Sequence, residues 1–319
     1  MVKKRIIMDV DPGIDDSLAI LLALRSPDIK IEGFTVVSGN VDAIQGSKNL
    51  LFLLEQFATE PLNIYLGAEK PLVREFQDAR DTHGNDGLGD IYNPSKMVVE
   101  EQRASDYMIE MLYKYPNEIT IVALGPLMNL AEVIQKDPEA LRLAESIRIM
   151  GGANKVHGNC SPVAEYNFWV DPHAAHLVFN QALENIYLYP LDVTYEIVMT
   201  PNIREMIRQF NQPLSAFIHN ITGFYVDFHW EAERTLGCII NDPLVIADMI
   251  HPLVDFSKAD IDIVVDGMAM AESVCNINKN GKVHIGRTVN SRKFLEFFLT
   301  TIFPEFKVDI EQQMKKELF

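Results

Sequence analysis

Apolar positions along the chain follow two alternating periods. Short β-branched runs at 5–10, 30–37, 63–66, 119–123, 146–150 and 185–188 are nearly continuous in apolar character, which predicts strands buried on both faces. Between them, a 3.6-residue spacing predicts helices over 14–25, 43–57, 104–115, 127–135 and 172–180. This alternation predicts an α/β fold with a mainly parallel central sheet flanked by helices, a Rossmann-like core. After about residue 200 the pattern becomes helical, at 203–210, at 213–230 and after Asn241-Asp242-Pro243. A small β-ribbon is expected across 268–285, where GMAMAESVCNI and KVHIGRT flank the turn Asn278-Lys279-Asn280-Gly281. An amphipathic segment runs on from Ser291, and the tail KVDIEQQMKKELF reads as a mixed-charge surface helix. No linker, repeat or low-complexity tract interrupts the pattern, so residues 1–319 are expected to form a single domain. In such sheets ligands bind beyond the carboxyl ends of the strands, which directs attention to the strand-to-helix turns.

Composition narrows the partners. The 319 residues are 48% hydrophobic, enough for a large core, and carry a formal charge of −17. That charge repels a phosphate backbone, and no basic stripe offsets it, so nucleic acid is not expected as a partner. No run approaches the roughly 18 apolar residues of a membrane span, and MVKKRIIMDVDPG lacks the features of a secretory signal. A cytoplasmic protein without a membrane partner is expected. Cys160, Cys238 and Cys275 are far apart and read as buried free thiols. His173 and His176 are three apart on a predicted helix, but with no acidic partner they read as packed or solvent-facing. Two glycosylation sequons, at Asn159 and Asn220, need a secretory route that the chain does not show. The segment 39–48, GNVDAIQGSK, lacks the Gly-Lys-Ser/Thr spacing of a phosphate loop.

The candidate chemistry lies in IIMDVDPGIDD at 6–16, where Asp9, Asp11, Asp15 and Asp16 follow an apolar run. Asp9 and Asp11 share one side of an extended strand end, while Asp15 and Asp16 fall in the first turn of the next helix. A helix N-terminus stabilises a carboxylate by only about 0.3–1 kcal/mol, too little to hold four together. A hard divalent cation with oxygen ligands would do so, Ca²⁺ being favoured if backbone carbonyls from distant loops join in. The alternative is that two of the aspartates cap the helix and the others face water. With a metal, a bound water beside one aspartate becomes a nucleophile, which suggests hydrolysis. DxD after an apolar strand also opens metal-dependent phosphohydrolases, but there Gly-Thr or a similar pair normally follows; here Pro12-Gly13 does.

DVDPGIDDS resembles the DxDPGxDD signature of the inosine-uridine preferring nucleoside hydrolases, which cleave the N-glycosidic bond of ribonucleosides with bound Ca²⁺. Further segments resemble the same family in order: VVSGN ending at Asn40, THGNDGLGD around His83, ALGPLMNLA around Leu124, IMGGA at Met150, GNCSPVAEYNFWVDP from Gly158, and NDP at 241–243. The resemblance implies that Asp11, Asp16, Asp242 and the backbone carbonyl of Leu124 ligate Ca²⁺, with Asp11 also the general base. It implies ribonucleoside contacts from Asp15, Asn40, Met150, Asn159, Glu165, Asn167 and Asp242, a supporting place for Asp9, and a homodimer or homotetramer. A polar, acidic pocket also makes physical sense for a sugar that becomes positively charged as the base departs.

One position departs from the family. Many members have His-Asp-Pro where this chain has Asn241-Asp242-Pro243, and that histidine is associated with protonating the leaving base. Asn cannot supply a proton near neutral pH, although its amide still donates a hydrogen bond. Three consequences are open: another acid, from His83, Tyr225 or His229; activation of a purine by stacking, with Trp230 or Phe168 as candidates; or an altered substrate, extending to a nucleoside-binding protein without turnover. Tyr225 and His229 are four apart, so one helical face presents both. Purines, which are activated by ring protonation, are the favoured substrates.

Overall fold

The computed structural model describes residues 3–91, 96 and 98–316. Its β1 strand (Lys4–Val10) divides its side chains between two layers: Ile6, Met8 and Val10 enter one core and Ile7 the other, as the two-residue period of a strand requires. The neighbours β2 (Ile29–Val36), β3 (Ile64–Leu66), β4 (Ile119–Ala123), β5 (Ser146–Met150) and β6 (Ile186–Tyr189) run parallel to it, in the order β3-β2-β1-β4-β5-β6. Both faces are covered. Helices Ile14–Arg25, Ala43–Phe57, Pro243–Ile250 and Ser291–Ile302 fill one core, and Ala104–Lys114, Met128–Lys136 and Pro172–Phe179 fill the other.

The chain builds outward from β1 through β2 to β3, then returns to the opposite side of β1 with β4. The loops that leave β1 and β4 therefore part in opposite directions and open a crevice at the carboxyl ends of these strands. Two short strands, β7 (Val198–Met199) and β8 (Cys238–Ile239), pair antiparallel outside the main sheet. Their pairing brings the chain back to the crevice at Asn241-Asp242, after the long helix Pro213–Glu233.

The C-terminal part corrects the ribbon expected across 268–285. The strands β10 (Ser273–Ile277) and β11 (Val283–Val289) both form, but they do not pair with each other; β9 (Val254–Ile263) lies between them, antiparallel to both. Together they complete a nine-stranded sheet, with β11 parallel to β6. The sequence of β9, VDFSKADIDI, is polar at every exposed turn of its alternation and so lacks the apolar run that marks the inner strands. The tail forms a helix at Lys307–Met314, and residues 317–319 of that expectation lie outside the described residues. Among the cysteines only Cys238 is buried; Cys275 is half-buried and Cys160 exposed, against the expectation for all three. Among the described residues no helix is long and apolar enough to cross a membrane.

Candidate functional site

The four aspartates separate at the end of β1. Asp9 still belongs to the strand, and its Oδ1 accepts from Thr35 Oγ1 and Asn129 Nδ2, each at 2.7 Å, within the core. Asp11 lies just beyond the strand, where its Oδ2 accepts the Asn40 N–H at 2.8 Å while its buried Oδ1 has no hydrogen-bond partner. Asp16 folds back from the first helical turn to accept the backbone N–H groups of Asp11 (3.1 Å) and Gly13 (3.2 Å), so one side chain fixes the Pro12-Gly13 turn and starts the helix. Gly39 and Gly125 close on Asp11 from the loops after β2 and β4, and a Cβ on either would overlap its carboxylate.

These carboxylates are costly to ionise as they stand. Burial pushes Asp11 well above the usual carboxylate range, and the charges of Asp16 and Asp15 add to the effect. Burial and the charge of Asp15 raise Asp16 to about 7, and Asp242 is raised well above its ordinary value by burial and then by Asp15, Asp16 and Asp11. Asp15, Asp16 and Asp242 bring carboxylate oxygens within 4.8 Å of one another, with Asp11 adjoining through Asp16. An unpartnered buried oxygen beside three converging carboxylates is a donor set that fits a hard divalent cation. The Leu124 carbonyl faces the same cleft but already accepts from Asn167 Nδ2 at 2.7 Å, leaving one lone pair for a further partner.

Above this floor opens a cleft lined by polar and aromatic side chains. Asp15, Asn40, Leu124, Met150, Asn159, Glu165, Asn167 and Asp242 all line it, as do His83, Tyr225, His229 and Asn241; Asp11 and Asp16 are buried beneath. Most polar groups in the lining are already fixed by local bonds. Asn40 Nδ2 donates to Asp11 O and Asp16 Oδ2, and Asn159 Oδ1 accepts the Tyr166 N–H. Glu165 caps the helix Tyr166–Val170 by accepting from the N–H groups of Asn167 and Phe168, and also from Gly152. Burial nevertheless raises its carboxyl to about 7. Asn167 turns its Nδ2 to the carbonyls of Leu124 and Met150, which leaves its Oδ1 for a ligand.

The opposite wall comes from the helix Pro213–Glu233, which supplies Tyr225, Phe228, His229 and Glu233, with Tyr195 beside them. Tyr225 Oη (3.2 Å) and Asn241 Nδ2 (3.1 Å) both donate to Asp15 Oδ2. Neither aromatic named for stacking reaches the cleft. Trp230 points outward, 48% exposed, and Phe168 is buried in the core against Gly151, Gly152 and Phe179. In an α-helix, residue 228, three after 225, shares the 225–229 face, whereas residue 230, five after 225, turns away from it. Sequence reasoning missed Phe228, Tyr195 and Glu233; for Phe228 and Glu233 the signal was available, since 225, 228, 229 and 233 follow the helical i, i+3, i+4, i+8 pattern. His173 and His176 stay apart from the cleft, with His176 Nδ1 near Ile263 O and Asp262.

A crevice at a sheet switch point, floored by acidic groups and walled by polar side chains and aromatics, defines a small-molecule site. The inosine-uridine preferring nucleoside hydrolase profile matches residues 6–296, and the chain belongs to that family. It is 35% identical over 247 residues to "Probable uridine nucleosidase 2" of Arabidopsis thaliana, covering 76% of each chain. It is 32% identical over 268 residues to the "Inosine-uridine preferring nucleoside hydrolase" of Leishmania major, covering 83% of this chain and 84% of that one. Among solved structures, the "Purine-Preferring Ribonucleoside Hydrolase from Gardnerella vaginalis" superposes with a TM-score of 0.90 at 29% identity, over 96% of this chain and all of that one. The chain is therefore an N-glycosyl hydrolase acting on nucleosides.

Proposed function

We propose that the chain, acting as one domain, is a cytoplasmic, calcium-dependent ribonucleoside hydrolase of nucleoside salvage, preferring purine ribonucleosides and assembled as a homodimer or homotetramer. The observation that carries the calcium reading is the unpartnered, buried Asp11 Oδ1 beside Asp15, Asp16 and Asp242 at the foot of the cleft. Asp11, Asp16, Asp242 and the Leu124 carbonyl would hold the ion. Bound there, Ca²⁺ supplies positive charge that balances the carboxylates and makes a neighbouring water easier to deprotonate. Asp11 would take the proton of that water. Asp15, Asn40, Asn159, Glu165, Asn167 and Asp242 hold the ribose hydroxyls, with Met150 against the sugar, and their negative charge favours the oxocarbenium-like sugar over neutral nucleoside.

The preference for purines rests on the base end of the cleft, where Phe228, Tyr225, Tyr195 and two imidazoles offer ring faces and proton-bearing groups to a fused base. Ribose release from inosine, guanosine, adenosine, uridine and cytidine tests the proposal, measured in chelator and after adding back Ca²⁺ or Mg²⁺. The expected result is turnover that chelation abolishes and Ca²⁺ restores, faster on the purine members. Turnover unaffected by chelation would overturn the metal assignment, and faster cleavage of uridine and cytidine would overturn the base preference.

A further inference from the structure

We propose that His229 is the acid that protonates the departing base in place of the histidine this chain lacks at 241. The inference rests on the nucleoside hydrolase reading of the cleft and assigns one of its groups. Of the cleft-lining groups that carry an exchangeable proton, His83, Tyr225 and His229 are the three the sequence named, and Glu233, whose carboxyl burial raises, lines the same wall. Their hydrogen-bond partners distinguish them.

His83 receives the backbone N–H of Ile14 at Nδ1, at 3.1 Å. Its Nδ1 must therefore hold a lone pair, and its single proton sits on Nε2. A second proton would have to enter at Nδ1, where it would face the Ile14 N–H; the fold keeps His83 neutral. Tyr225 already donates its hydroxyl proton to Asp15 Oδ2, and burial with that negative neighbour raises its pKa far above neutrality. Its proton is held. His229 has the opposite arrangement, because its Nδ1 lies 2.7 Å from the Tyr225 carbonyl and so donates. That bond is kept in both the neutral and the protonated ring, and Nε2 is left to gain and lose the second proton. Among the described residues Nε2 has no hydrogen-bond partner, and it lines the cleft although the residue as a whole is buried. The ring is braced edge-on against Tyr225 (4.4 Å between centroids) and Phe228 (5.4 Å).

Burial suits release of a proton. It lowers the His229 pKa, and the bond to the Tyr225 carbonyl and the Asp15 charge oppose that shift, while Glu233 and Tyr225 line the same wall. In the step itself, the C1′–N bond breaks with its electron pair passing to the base. The His229 Nε2 proton moves to a ring nitrogen of the base. Water adds its oxygen to C1′ and gives one proton to Asp11; that proton returns to His229 through solvent, so the net reaction is addition of one water.

Leaving-group dependence tests the assignment. His229→Asn keeps a side-chain N–H for the Tyr225 carbonyl and removes Nε2; His83→Gln is the comparison. Each is assayed on the best nucleoside and on 4-nitrophenyl riboside, whose leaving group departs as a stable anion without needing a proton. For His229→Asn we expect kcat on the nucleoside to fall at least about 100-fold, with a loss at least tenfold smaller on the nitrophenyl substrate, and no such split for His83→Gln. Equal losses on both substrates for His229→Asn would overturn the proposal, as would a split confined to His83→Gln. A wild-type enzyme inactive on both substrates would instead remove the hydrolase reading beneath it.

Discussion

Asp11 and Asp9 are two residues apart in one strand end, yet their surroundings give them different work. Asp11 has a free buried oxygen facing the acidic group, and Asp11→Ala should reduce ribose release at least about 100-fold, read as kcat on inosine. Asp9 is enclosed in the core, where burial raises its carboxyl from 3.8 to about 7 despite two hydrogen bonds. The folded protein therefore binds this proton more tightly than the unfolded chain. Its contribution to stability is complete below about pH 4 and is lost as pH rises through about 7. Asp9→Asn, which cannot ionise, should flatten the fall of melting temperature between pH 5 and 8 in the presence of chelator. The aspartate cluster was legible in the sequence because so many like charges after an apolar run need a counter-charge. The division of labour within it was not, since the orientation of each carboxylate depends on Asn40, Asn129 and Thr35, all distant in sequence.

Among the elements, the loops after β2 and β4 act on the site by what they omit. Gly39 and Gly125 leave room for the Asp11 carboxylate, and neither has a positive φ, so an alanine there acts through contact with Asp11 and not through backbone strain. Gly125→Ala should weaken Ca²⁺ binding by about 10–100-fold, as loss of ligand support does elsewhere, measured by calorimetry. The inner strands and most helices were legible because a buried parallel strand is apolar along its length and a covering helix on one side. β9 was not, because one of its faces meets water, and its insertion between β10 and β11 follows from long-range pairing that no local turn signal encodes. The helix Pro213–Glu233 was read correctly as a helix, but its cleft-facing stripe was assigned from two residues and its aromatic from the wrong side.

At the scale of the whole molecule, buried like charges oppose folding unless protons or a cation neutralise them. Ca²⁺ at a hundred times its dissociation constant should stabilise the protein by about 2.7 kcal/mol. The gain should be larger at pH 8 than at pH 5, because Asp11, Asp16 and Asp242 hold protons more tightly than ordinary carboxylates and protons compete with the ion. Paired melting curves with and without Ca²⁺ at the two pH values check this; an equal gain at both would argue against these carboxylates as ligands. The architecture also divides the cleft by chain segment. The proposed sugar end hangs on the central sheet, whereas Tyr225, Phe228 and His229 of the proposed base end come from one excursion of chain between β7 and β8. That excursion leaves and rejoins through a two-stranded clasp, Val198–Met199 with Cys238–Ile239. It forms a natural cassette: grafting it between relatives would carry the aromatic wall and the proposed acid His229 across together, while the aspartates rooted in the sheet stay in place.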